Sequence, residues 1–173
     1  MHRTMTGFRR DEDGAWVAEL SCLHTQHIRH QPPFWEAAWI EDDQERDRRV
    51  GQSLDCPLCD RAEMPDGLEL VRATAVWDAT TVPDALRRAH RVAAKRWGLL
   101  VVDAGEVRFQ ADTRPPLDVM VTPGRPQPIP PELDHFVEPA EGARFHVAFL
   151  ARPCGPADEG GEAPCFAHLV DDF

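Results

Sequence analysis

The chain is expected to be mainly β and built in two parts, and three observations say so. Residues 68–151 hold short runs rich in Val, Leu and Phe, punctuated by Gly, Pro and Asp, as in a sandwich or barrel rather than a parallel α/β sheet. Residues 1–66 instead concentrate Cys and His at close spacings and are poor in large aliphatics. With 173 residues, 42% hydrophobic and 28% charged, the chain has room for one ordinary domain or two small ones.

Taken in order, "AWVAELSC" (15–22) alternates apolar and polar as a strand does. "HQPPFWEAAW" follows, and its Pro32-Pro33 pair forbids a regular helix there. Trp35 and Trp39, four apart, are expected in a small first core. "EDDQERDRRV" is a solvated surface. Pro65 and Gly67 in "DRAEMPDG" mark a boundary, which divides the chain into 1–66, 67–152 and a Gly-, Pro- and acid-rich tail, 153–173. Strands are then expected in "LELVRATAVW", "WGLLVVD", "EVRFQAD", "LDVMVTPG", "HFVEP" and "ARFHVAFLA". Asp103-Ala104-Gly105 reads as a hairpin turn, and "PGRPQPIPPELD" as a long, stiff connection. The run "VPDALRRAHRVAAKRW" is the one helix-like stretch, with Pro83 at its first position, Leu86 inward and a strand as the competing reading.

The net charge is −11, with 8 Arg against 14 Asp and Glu in residues 1–66 and 11 Lys and Arg against 16 Asp and Glu in the rest. Neither part offers the basic face that nucleic acid needs, so no nucleic-acid partner is expected. The N-terminal stretch lacks the apolar core of a signal peptide, and no window reaches a membrane span. The expectation is a cytoplasmic protein with no membrane partner.

Five cysteines is an odd number, and three of them sit near histidines, which points to metal ligation rather than disulfides. Cys22 and His24 form one close pair, and Cys56 and Cys59 in "CPLC" form another. Two S/N pairs joined by a loop are how a small, zinc-ribbon-like module supplies four tetrahedral ligands. If residues 22–24 end a strand, positions i and i+2 face the same way and the first pair converges. His27 and His30, spaced for one face of a helical turn, are alternates for His24 or surface groups. A closed structural site is favoured over a catalytic one, because four suitable donors leave no open position. Cys154, Cys165 and His168 read as tail groups without a fourth ligand.

Residues 6–61, with "GFRRDEDGAWVAELSCLHTQHIRH", "PPFW" and "LDCPLCDR", resemble a family of small bacterial domains of unknown function. That family shares a Gly-Phe start, an ELSC-G-H core, a QH-V-RH run and a C-x2-C end, and Leu23 stands where it commonly has Gly. "GRPQPIPPELDH" resembles the second cupin motif, G-x5-P-x-G-x2-H, with Pro130 and His135 in register and Glu132 at the inner Gly. Of the first cupin motif His90 can serve as the first histidine, but Val92 fills the second histidine's slot and, counting back from Gly105, Gly98 the glutamate's. Residues 70–151 resemble the small cupin-like domain family named after a tellurite-resistance protein, the TehB/YeaR-like family. Its pattern H-x-T-K-x-G-x-W-G meets "HRVAAKRWG", where His90, Trp97 and Gly98 agree and Val92 and Ala93 replace Thr and Lys. The resemblance implies a double-stranded β-helix barrel whose lumen could hold a divalent metal on His90 and His135, with His146 as a third ligand if its strand turns that way. Two functions follow. One is a binding protein for a small molecule or a metal oxyanion, with zinc in the N-terminal module, acting in a stress or metal response. The other is a metal-dependent cupin enzyme, an oxygenase or isomerase, with a second divalent metal in the barrel.

Overall fold

A computed structural model describes residues 1–28 and 37–153. It is mainly β, with antiparallel pairing throughout its strands. Among the described residues no helix is long and apolar enough to cross a membrane.

The first sheet has the order β3-β2-β1-β4, from β1 (His2–Arg10), β2 (Trp16–Leu20), β3 (Thr25–His27) and β4 (Ser53–Asp55). The strand expected at 15–22 is thus found, and β1 is an addition that the polar "HRTMTGFRR" did not announce. A turn closed by Asp11, whose Oδ1 accepts from the backbone N–H groups of Asp13 and Ala15, joins β1 to β2. One face of the sheet buries Met5, Ala18 and Leu20 against Cys22, Cys56 and Cys59. The charged run forms the short helix α1 (Asp43–Asp47), which buries nothing but lays Arg46 over the Trp16 ring at 3.8 Å. Trp39 packs edge-on to Phe8 and under Arg49, outside the cysteine cluster, so it does not form the small first core; Trp35 lies outside the described residues.

Two further sheets share one apolar core. The larger has the order β10-β7-β12-β5, with β6 also on β12, from β5 (Glu69–Ala73), β6 (Trp77–Asp78), β7 (Trp97–Ala104), β10 (Gln127–Ile129) and β12 (Arg144–Ala151). The smaller, β11-β8-β9, is made of β8 (Val107–Ala111), β9 (Leu117–Val121) and β11 (His135–Pro139). Period-two burial turns Leu100, Val102, Phe145 and Val147 of one sheet towards Val107, Phe109 and Val137 of the other.

Three expectations need correction here. Asp103-Ala104-Gly105 does not close a hairpin: β7 pairs with β10 and β12, and β8 with β9 and β11, so the turn carries the chain from one sheet to the other. The Pro-rich connection contains β10, a strand that tolerates Pro128 because it lies at the sheet edge. The helix-like run yields one 3₁₀ turn, Asp84–Arg87, with Leu86 buried, after which His90 bridges to His135 as strand does. Pairing to β11 overrides the helical propensity of the Ala-rich stretch.

Candidate metal centre and adjoining cavity

Cys22 and His24 come from the turn between β2 and β3, where Leu23 N–H donates to Leu20 O at 2.8 Å and Leu20 N–H to His24 O at 3.0 Å. Leu23 sits in the left-handed region, φ 71°, and this tight turn, not strand alternation, brings the pair together. Cys56 and Cys59 flank the start of helix α2 (Pro57–Asp60), which opens with Pro57 at its first position and so aims both thiols the same way.

The four side chains are all buried, and their ligand atoms lie within 4.8 Å of one another. His24 Nδ1 is 3.4 Å from Cys22 Sγ, 3.4 Å from Cys56 Sγ and 3.6 Å from Cys59 Sγ, and Cys22 Sγ is 3.9 Å from Cys56 Sγ. A tetrahedron with Zn–S near 2.3 Å and Zn–N near 2.0 Å has S···N edges of about 3.5 Å and S···S edges of about 3.8 Å. The donor set and its spacing therefore fit zinc. No disulfide competes, since all three thiols are free.

Electrostatics say what the cluster lacks without a cation. Burial works against a charged His24, but hydrogen bonds to Cys22 and Cys56 outweigh it and raise the imidazole to about 9. The Cys56 thiol is pushed down by its hydrogen bonds to Cys22 and Cys59, while the Cys59 thiol is pushed up by Cys22, Cys56 and burial. The Cys56 thiolate is balanced by the His24 imidazolium, and Cys59 keeps its proton, because adjacent buried thiolates repel. A divalent cation would let all of them deprotonate together.

Sequence reasoning missed the cover over this centre. Trp97, at the start of β7 and fully buried, donates from Nε1 to Cys22 O at 2.8 Å and sets its ring edge-on to His24, centroids 5.5 Å apart. The "WG" match had marked Trp97 only as a barrel residue. Nor does the structure bring the alternates in: His27 is exposed on β3, not on a helical turn, with Nε2 2.6 Å from Asp11 Oδ2. His30 lies outside the described residues, as do Cys154, Cys165 and His168.

A second feature is a cavity of about 510 Å³ lined by both His90 and His135. Their ring centroids are 4.1 Å apart. His90 Nδ1 lies 3.0 Å from Arg88 O and His135 Nδ1 2.8 Å from Leu133 O, so each Nδ1–H donates to a carbonyl and leaves Nε2 as an acceptor. Burial, with His90 adding to it, holds His135 down at about 4. His146 does not join them. Phe145, Val147 and Phe149 of β12 line the cavity, so alternation turns His146 to the opposite face, where Nδ1 meets Asp103 Oδ2 at 3.1 Å. Among the described residues the Cys22, His24, Cys56 and Cys59 cluster is the one group of three or more such donors drawn together, and the three-histidine barrel site is not assembled.

Residues 6–63 match the family model described as a protein of unknown function (DUF3565), and residues 72–147 match that of a TehB-like domain. No curated protein matches the chain. A protein from E. coli (strain K12), solved by a structural genomics consortium, superposes with a TM-score of 0.47 at 20% identity, covering 52% of this chain and 96% of that one. TehB from Haemophilus influenzae gives 0.47 at 21% identity over 51% of this chain, which spans 33% of TehB. FeII HppE gives 0.34 at 19% identity, covering 52% of this chain and 44% of that one.

Proposed function

We propose that the chain is a cytoplasmic two-part binding protein. In this reading residues 1–66 form a module closed by one structural zinc, and residues 67–152 a cupin-like barrel whose cavity takes a small molecule or a metal oxyanion in a stress or metal response. The observation that carries the zinc assignment is the set of three thiols and one imidazole at tetrahedral spacing, all buried. With four protein donors filling a tetrahedron, zinc there would act as a staple worth on the order of 10 kcal/mol of folding free energy, not as a Lewis acid. The chain's own part is to hold the ligands: the Leu23 turn and helix α2 aim the donors, and Trp97 fixes the Cys22 carbonyl.

The enzyme reading keeps only His90 and His135 as ligands, and two are few for a first-row metal. Elemental analysis of the purified full chain separates the readings. One zinc per chain is expected, lost in a Cys56→Ser/Cys59→Ser variant and retained in His135→Ala. A wild-type chain free of zinc and indifferent to chelators overturns the staple, and a second equivalent of metal lost only in His135→Ala replaces the binding reading with the enzyme.

A further inference from the structure

We propose that the cavity takes a neutral hydroxyl compound with an apolar body, a phenol or an alcohol, whose O–H donates to the Nε2 lone pair of His135 beside His90. This rests on the ligand-binding reading of the barrel and names the class of ligand.

The paired imidazoles carry it. His135 begins β11, and His90 bridges to it from the stretch before β7. Each Nδ1 lies at hydrogen-bond distance from a carbonyl, Leu133 O at 2.8 Å and Arg88 O at 3.0 Å. A carbonyl only accepts, so in the neutral imidazoles the proton sits on Nδ1 and Nε2 presents a lone pair. Among the described residues neither Nε2 has a hydrogen-bond partner. His135 is only 2% exposed, with the rings of His90 and Phe109 packed against its own at 4.1 and 5.7 Å between centroids. Its Nε2 is nevertheless not sealed off, and the space it opens on is the cavity that both histidines line. A donor on the ligand meets this acceptor where no group of the described chain does.

The surroundings choose the rest of the ligand. His135 and Val137, two apart on β11, turn the same way, and Phe145, Val147 and Phe149 of β12 supply an apolar wall from the other sheet. A cavity of about 510 Å³ has the size of a metabolite site. A cation is disfavoured, because Arg72, Arg91 and Arg96 line the same cavity and its one acid, Glu132, faces Arg3 at 3.7 Å. An anion is disfavoured as well. Arg91 is held by Asp134 in a two-point pair, 2.6 and 2.5 Å, Arg72 and Arg96 interact elsewhere in the chain, and a carboxylate would meet lone pairs at the histidines. Of the uncharged donors a hydroxyl buries the fewest polar atoms, whereas an amide adds a carbonyl that the apolar wall leaves unmet.

Isothermal titration calorimetry of the purified full chain, without added metal, with 4-ethylphenol, its methyl ether and 4-ethylbenzoate tests this. The phenol is expected to bind, and the ether and the acid about tenfold or more weaker. His135→Phe, which keeps an aromatic ring and removes the acceptor, should bring the phenol down to about the ether's affinity and leave the ether unchanged, with far-UV circular dichroism reporting that the variant folds. Equal binding of phenol and ether by the wild-type chain overturns the hydroxyl inference while the ligand-binding reading stands. The acid binding as tightly as the phenol overturns the neutral class. Phenol binding that appears only after a second equivalent of divalent metal is added overturns the free imidazole as acceptor. No binding by any of the three overturns both this inference and the reading it rests on.

Discussion

Three residues break the patterns that the chain resembles at a glycine: Leu23 in ELSC-G-H, Lys95 in H-x-T-K-x-G-x-W-G and Glu132 in the second cupin motif. All three have positive φ, 71°, 59° and 55°. The backbone turn is kept and the side chain strained, which costs about 1–2 kcal/mol per position against the extra chain entropy of Gly. Lys95→Gly, exposed and free of packing losses, is expected to raise stability by about 1 kcal/mol in urea denaturation. An unchanged midpoint would mean that the strain is absorbed elsewhere. His135 supplies a pH effect. Its folded value of about 4 lies below the ordinary 6.5, so its contribution is complete above pH 6.5 and is lost as pH falls towards 4. The shift amounts to about 3 kcal/mol. His135→Gln should flatten the fall in stability between pH 6.5 and 4 relative to wild type, and parallel curves would contradict the buried neutral imidazole. Residue types and spacings made the four metal donors legible, because thiols and imidazoles so close together have few other uses. The face of His146 was not legible, since a one-residue register change inverts it.

Among the elements, β7 belongs to two cores at once. Trp97 packs with the cysteine cluster, whereas Leu100 and Val102 pack between the five-stranded and the three-stranded sheets. Most strands were readable from apolar alternation and turn residues, but pairing was not. Asp103-Ala104-Gly105 has hairpin composition and serves as a crossover, because which strand lies beside β7 is decided by contacts far along the chain. Strand β1 escaped notice because its exposed face is polar, with His2, Thr4 and Thr6, and its buried one holds the charged Arg3 beside Met5. Trp97→Phe keeps most of the apolar burial and removes the Nε1–H donor, leaving the buried Cys22 carbonyl unmet. A loss of about 1–2 kcal/mol and faster transfer of zinc to a chelator are expected, measured by urea unfolding and a colorimetric zinc indicator. Wild-type rates would show that Trp97 covers the loop without holding it.

For the whole molecule, packing crosses the place near residue 66 where a boundary is expected from composition. Met1 lies against both cores, Ser21 O accepts from Lys95 N–H, and Arg3 faces Glu132 on the cavity wall. Composition marks where one pattern of residues ends, but it carries no information on burial between the parts, so this junction was not legible. Removing zinc is therefore expected to lower the stability of β7 and β12 as well as the first sheet, seen as reduced amide protection in those two strands by hydrogen exchange. Everything rests on four donors closing around one ion. Cobalt(II) substitution reads that directly. The full chain loaded with one equivalent of cobalt should show intense tetrahedral ligand-field bands and strong thiolate-to-cobalt charge transfer, both removed by Cys56→Ser/Cys59→Ser. Weak octahedral bands without thiolate charge transfer would contradict the account.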